Sequence, residues 1–183
     1  TAMYSINLGN TLGAGSQDEG LAALSIALLG DAGEDTELLK QAARLCVELE
    51  IRGDQTSRRL VSAGLHHVLV RGLRHVIQGA HQEKAASALG NLAMNNTENK
   101  VTIAAVPGAI DALVDLLRGG TPVGKEMAVG ALGNLAHNTE NKVTIAAAPG
   151  AIDALVDVLR DGTPDGKKNA AGALWNLAIN TEN

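Results

Sequence analysis

The chain has 183 residues, 45% of them apolar, enough for one sizeable core or for about four units of about forty residues each. Fifteen basic and twenty acidic residues leave a net charge of −5, with no basic run and only one Trp and one Tyr, so the surface that nucleic acid requires is not expected. No run reaches the ~18 apolar residues of a membrane span, and a single cysteine, Cys46, argues against a disulfide framework and fits an intracellular setting, cytoplasmic, nuclear or both.

In chain order, the first sixteen residues are Gly-rich and carry no placeable pattern. Residues 19–29 and 36–51 read as the last two helices of an eroded N-terminal unit or cap over about 1–52. A second unit over about 53–95 reads as helices at 55–63, 65–77 and 79–93, the third ending in the string LGNLA. Two further units, over 96–137 and 138–183, make the pattern explicit. Residues 97–136 and 139–178 agree at 32 of 40 positions, and Pro107 and Pro149 lie 42 residues apart. A period of this length belongs to stacked helical repeats, in which no unit can bury its apolar face alone. The chain therefore reads as a single repeat domain.

Each of these two units parses into three helices. The first covers 99–105 or 141–147. Pro107-Gly108 and Pro149-Gly150 then break the chain, because proline disfavours helix in the residue before it and glycine permits a sharp turn. The second helix carries Ile110, Leu113, Val114 and Leu117 at the spacing of one buried stripe, with Asp111 in its first turn and Arg118 in its last. The third opens on Thr121-Pro122 or Thr163-Pro164, an N-cap followed by proline at the first helical position, and runs to about 136 or 178.

The differences between the copies locate a surface. On the third helix four of the five differences, Val123/Asp165, Glu126/Lys168, Met127/Asn169 and Gly133/Trp175, fall within about a third of the helix circumference, and the fifth, Val129/Ala171, lies outside it. Gly130, Asn134 and His137 share that arc. Ala128, Ala131, Leu132, Leu135 and Ala136 occupy the opposite arc and are unchanged in the second copy. One arc is held constant by packing; the other is free to present side chains.

The string GAIDALVDLLRGGTPVGKEMAVGALGNLA resembles the armadillo repeat, and most closely the arrays of plant U-box ubiquitin ligases and related plant and protist proteins. The resemblance is strong over 65–183 and weak before it. It implies an all-α, right-handed superhelical solenoid of about four three-helix units, with third helices lining a concave groove. It further implies that Asn91, Asn134 and Asn176 form a ladder whose carboxamides match the donor and acceptor of a partner's peptide units. Capping of the helix ends is the alternative reading of the same asparagines. Lys84, Ser87, Glu126, Met127, Lys168, Asn169 and Trp175 complete the expected groove, with Trp175 readable either as core or as a binding hot spot. Two departures stand out. Asp111 or Asp153 occupies the place of the family's proline, and Ser87, Gly130 and Gly172 occupy the place of its groove tryptophan, which makes the groove shallow. The resemblance does not extend to a U-box within these 183 residues, so ligase activity is not expected to carry over from it.

Three look-alike motifs are discounted. GGTPVGKE, residues 119–126, approaches a phosphate-binding loop but ends in Glu126 and follows no strand, so it reads as a helix start. His66, His67 and His75 read as a solvated helix face rather than a metal site, and Cys46 as a packed residue. No cofactor, metal or catalytic arrangement is expected. The favoured function is a scaffold binding an extended or helical segment of a protein partner along the groove. A self-assembling spacer and the substrate-recruiting part of a larger ubiquitin ligase are the alternatives. An apolar patch around Leu174, Leu177 and Ile179 is expected to drive weak end-to-end self-association.

Overall fold

The computed structural model describes residues 54–62, 64–74, 80–94 and 96–179. The helices expected at 19–29 and 36–51, with Cys46 and His75, lie outside the described residues. All regular structure among the described residues is helical: α1 Asp54–Ser62, α2 Leu65–Arg74, α3 Ala80–Ala93, α4 Thr97–Ala104, α5 Ala109–Gly119, α6 Pro122–Leu135, α7 Thr139–Ala147, α8 Ala151–Asp161 and α9 Pro164–Ala178. They form three consecutive triplets, and each third helix packs on the next, α3 on α6 and α6 on α9. None is long and apolar enough to cross a membrane.

Local chemistry sets the boundaries. The Asn96 and Asn138 side chains accept from the backbone N–H groups of Asn99 and Asn141, so α4 and α7 begin two residues earlier than expected. Gly108 and Gly150 stand immediately before α5 and α8 at φ 78° and 74°, a left-handed conformation that costs a residue with a Cβ about 1–2 kcal/mol. Thr121 and Thr163 cap α6 and α9 by accepting from the N–H groups of Gly124 and Gly166, with proline following as expected. The phosphate-loop look-alike is thus the start of α6.

The core is a continuous column of aliphatic side chains that includes Leu89, Ile103, Leu113, Leu132, Ile145 and Leu155. Fully burying such a side chain contributes roughly 1.5–3 kcal/mol. Small residues bring the third helices together. A Cβ added at Gly90 would lie 3.4 Å from the Ala131 backbone, and one at Gly133 would lie 3.6 Å from the Ala173 Cβ. Asn99 and Asn141 are buried and hydrogen-bonded. Asn99 donates to the carbonyl of Leu92 at 2.8 Å, and Asn141 to those of Leu135 and Lys100 at 3.1 and 3.0 Å. The bonds to Leu92 and Leu135 tie each first helix to the end of the preceding third helix, the Leu135 carbonyl also accepting from the Asn138 N–H, and the bond to Lys100 joins α7 to α4.

His66 corrects the expectation of a solvated histidine face. His67 is exposed, but His66 is only 4% exposed and its Nδ1 has no hydrogen-bond partner. When α2 and α5 are aligned on Gly64/Gly108 and Arg74/Arg118, His66 falls at the place of Ile110, an apolar position between units. Burial, and then the adjacent His67, push its pKa down to about 4.

Candidate functional site

The face shared by α3, α6 and α9 carries every sequence-predicted groove residue. Lys84, Ser87 and Asn91 stand on α3, Glu126, Met127 and Asn134 on α6, all half-buried. On α9, Lys168, Asn169 and Trp175 are exposed and Asn176 is half-buried. The arc assigned to packing is buried in α6, where Ala128, Ala131, Leu132, Leu135 and Ala136 have lost almost all contact with solvent.

The asparagines do something the sequence reading did not foresee. Asn134 Nδ2 donates to the carbonyl of Gly90 at 3.0 Å, and Asn176 Nδ2 lies 3.4 Å from that of Gly133. Each therefore binds the backbone of the preceding third helix, immediately before the preceding asparagine. A carboxamide has two N–H groups and an oxygen, so this bond fixes the side chain's orientation while leaving a second N–H and the oxygen to present. Asn176 Nδ2 also lies 3.4 Å from His137 Nε2, which brings an imidazole from the end of α6 to the side of Asn176. Capping falls instead to Asn96 and Asn138.

Glu126 is placed by a similar inter-unit bond. The Thr163 hydroxyl donates to its carboxylate at 2.5 Å while accepting from the Gly166 N–H, and Thr121 makes the same pair of bonds with Glu83 and Gly124. Each threonine thus joins its own helix start to the third helix before it. No sequence signal for this pairing stands within one unit; it appears only when residues about 38 apart are compared.

Trp175 is 69% exposed and is not part of the core formed by the described residues. It occupies the place of Gly90 and Gly133, so the broadest apolar side chain of the chain stands on the same arc as the asparagines. The expected terminal patch is displaced. Ile179 is 42% exposed, but Leu174 and Leu177 are half-buried against the core, and the larger apolar exposure lies on α8 at Ile152, Val156 and Leu159.

With this geometry in hand, similarity to known proteins is informative. Residues 96–137 and 138–179 each match the Armadillo/beta-catenin-like repeat. A designed armadillo repeat protein superposes with a TM-score of 0.75 at 25% identity, over 96% of this chain and 82% of its own. A set of computationally designed armadillo repeat proteins for modular peptide recognition gives 0.75 at 28%, over 92% and 71%. An engineered protein gives 0.75 at 30%, over 87% of this chain; the chain spans 62% of that protein and 38% of another engineered one. No curated protein sequence matches. The fold is an armadillo-type α-solenoid, and residues 96–179 carry two recognisable armadillo repeats.

Proposed function

We propose that this protein is an interaction scaffold that binds an extended segment of a protein partner across α3, α6 and α9. The observation that carries the reading is the row Asn91, Asn134 and Asn176, two of them held by the preceding helix's backbone and bordered by the exposed Trp175. Carboxamides so oriented can meet the alternating N–H and C=O groups of an extended backbone, and the indole supplies apolar contact area beside them. A designed armadillo repeat protein is known in complex with the peptide (KR)4, which supports peptide binding by this architecture. Kinship with plant U-box arrays, and with it a substrate-recruiting role, rests on the sequence resemblance alone. An intracellular location rests on cysteine usage alone.

Selection of displayed random peptides against the whole chain tests the reading. Peptides recovered should lose affinity when Asn91, Asn134 and Asn176 are together replaced by Ala. Retained affinity in a triple variant of native helicity would place binding elsewhere. The spacer reading is favoured by one observation, the apolar exposure of Ile152, Val156 and Leu159, which belongs to a different surface.

A further inference from the structure

We propose that His137 makes the α9 end of the groove sensitive to pH, because protonating its ring turns the Asn176 carboxamide from an acceptor towards the partner into a donor. The inference rests on the reading of this face as a partner groove and adds its regulation. It starts from two acceptors around one amide. Asn176 Nδ2 lies 3.4 Å from the Gly133 carbonyl and 3.4 Å from His137 Nε2. The carbonyl fixes which way round the carboxamide sits, since a side-chain oxygen turned towards Gly133 would meet another oxygen. Asn134 stands the same way round against Gly90, at 3.0 Å, so the orientation belongs to the repeat and not to one site.

The amide NH2 donates two hydrogen bonds and accepts none. The Nε2 facing it is therefore the lone-pair nitrogen of a neutral ring, with the ring proton on Nδ1. One N–H goes to Gly133 and the other to His137, so Asn176 offers a partner its oxygen alone. Asn134 keeps a second N–H to offer. By equivalence between units, Met94 fills the place beside Asn134 that His137 fills beside Asn176.

Protonation removes the lone pair. Nε2–H and the NH2 are then both donors, and the contact is unfavourable until the carboxamide turns over. Once turned, its oxygen accepts a charge-assisted bond from the imidazolium, worth more than the neutral bond to Gly133 that is given up. The NH2 now faces the partner, and a backbone N–H that had met an oxygen meets a second donor. The charged groups around this end of α6 are Glu98 and Lys100 on α4, Asp111 at the start of α5, and Glu140 and Lys142 on α7. Those of α3 and α9 (His81, Glu83, Lys84, Asp165, Lys167 and Lys168) stand within the first five residues of each helix, at the far end. None of these groups pairs with His137 among the described residues, and the Lys142 ammonium goes to the Ile179 carbonyl at 3.1 Å. His137 itself is exposed, so solvent protons reach it.

Side-chain amide NMR of the full chain reads the switch without any partner, from about pH 8 to about pH 5.5, where imidazoles change charge. The Asn176 NH2 signals should move together with the His137 ring signals. They should stay still in His137→Met, which carries the preceding unit's residue at that place. Binding is read with a selected peptide that has no group titrating in this range. Its dissociation constant should rise about threefold on acidification, the worth of one neutral hydrogen bond, and stay constant in His137→Met. Asn176 signals that do not follow His137, a rise that survives His137→Met, or binding unchanged or tightened by acid overturns the proposal. A peptide that ignores pH but loses affinity when Asn91, Asn134 and Asn176 become Ala leaves the groove reading standing and sinks only the switch. A peptide whose affinity ignores the three asparagines sinks the groove reading, and the proposal with it.

Discussion

Asn134 on α6 donates its side-chain amide to the carbonyl of Gly90 on α3, 44 residues earlier, at 3.0 Å. The proposed binding residue is thereby also a link between units, so its removal acts on two properties at once. The Gly90 carbonyl also accepts from the Met94 N–H at 3.0 Å, so it is not stranded when the amide is lost. Asn134→Ala is expected to lower unfolding free energy by only about 0.5–1 kcal/mol. Urea unfolding measures it; a loss well above 2 kcal/mol would mean that Asn134 is chiefly structural.

Thr163 joins two roles in the same manner, capping α9 and donating to Glu126. Thr163→Ala removes both and should cost about 1–2 kcal/mol, while Thr163→Ser should recover most of it. Glu126→Ala should cost less than Thr163→Ala, since the cap survives. Thermal unfolding of the three variants orders them. Equal losses for Thr163→Ala and Thr163→Ser would show that the hydroxyl is not the cause.

Gly150 at φ 74° makes a local prediction independent of any partner. Gly150→Ala should destabilise by about 1–2 kcal/mol through the left-handed backbone alone, because the nearest side-chain atoms, those of Arg118, stand 3.6 Å from the added methyl. Chemical denaturation checks it, with Gly172→Ala as the control at an open position that should gain helix propensity instead.

His66 predicts acid sensitivity in a defined window. Its folded pKa is pushed to about 4, below the ordinary 6.5, so the unfolded chain binds the proton more readily. The neutral form's contribution is complete above about pH 6.5 and declines as pH falls towards about 4, below which both states are protonated. His66→Leu should flatten this stretch of the stability–pH curve, and should stabilise the fold near neutrality by removing the unpaired Nδ1. An unchanged slope between pH 6.5 and 4 would assign the acid response to other groups.

The repeat made much of this architecture legible before any coordinates. Thr121-Pro122, Pro107-Gly108 and the constant Ala/Leu arc of α6 are local signals, and two copies in one chain separate packing positions from presented ones. What escaped was relational. The link from Thr163 to Glu126 joins different units, and nothing within either unit marks it. Asn99 and Asn141 open the first helices expected from the sequence, and nothing within those helices marks them for burial; their bonds to the carbonyls of Leu92, Leu135 and Lys100 do. His66 misled because its neighbours His67 and His75 suggested a polar face, whereas alignment with Ile110 marks an apolar one. The exposed stripe was expected on the third helix but stands mainly on α8, because Leu174 and Leu177 face inward to the unit's own core.

The central claim, that a partner segment lies along α3, α6 and α9, meets its most direct test in the fluorescence of Trp175. It is the chain's only tryptophan and is 69% exposed on that face. Titration of a selected peptide should shift its emission to shorter wavelength as the indole leaves water, and the saturating concentration should rise when Asn91, Asn134 and Asn176 are replaced by Ala. A peptide that binds the whole chain tightly while leaving the Trp175 emission unmoved, with affinity indifferent to the three asparagines, would contradict the claim.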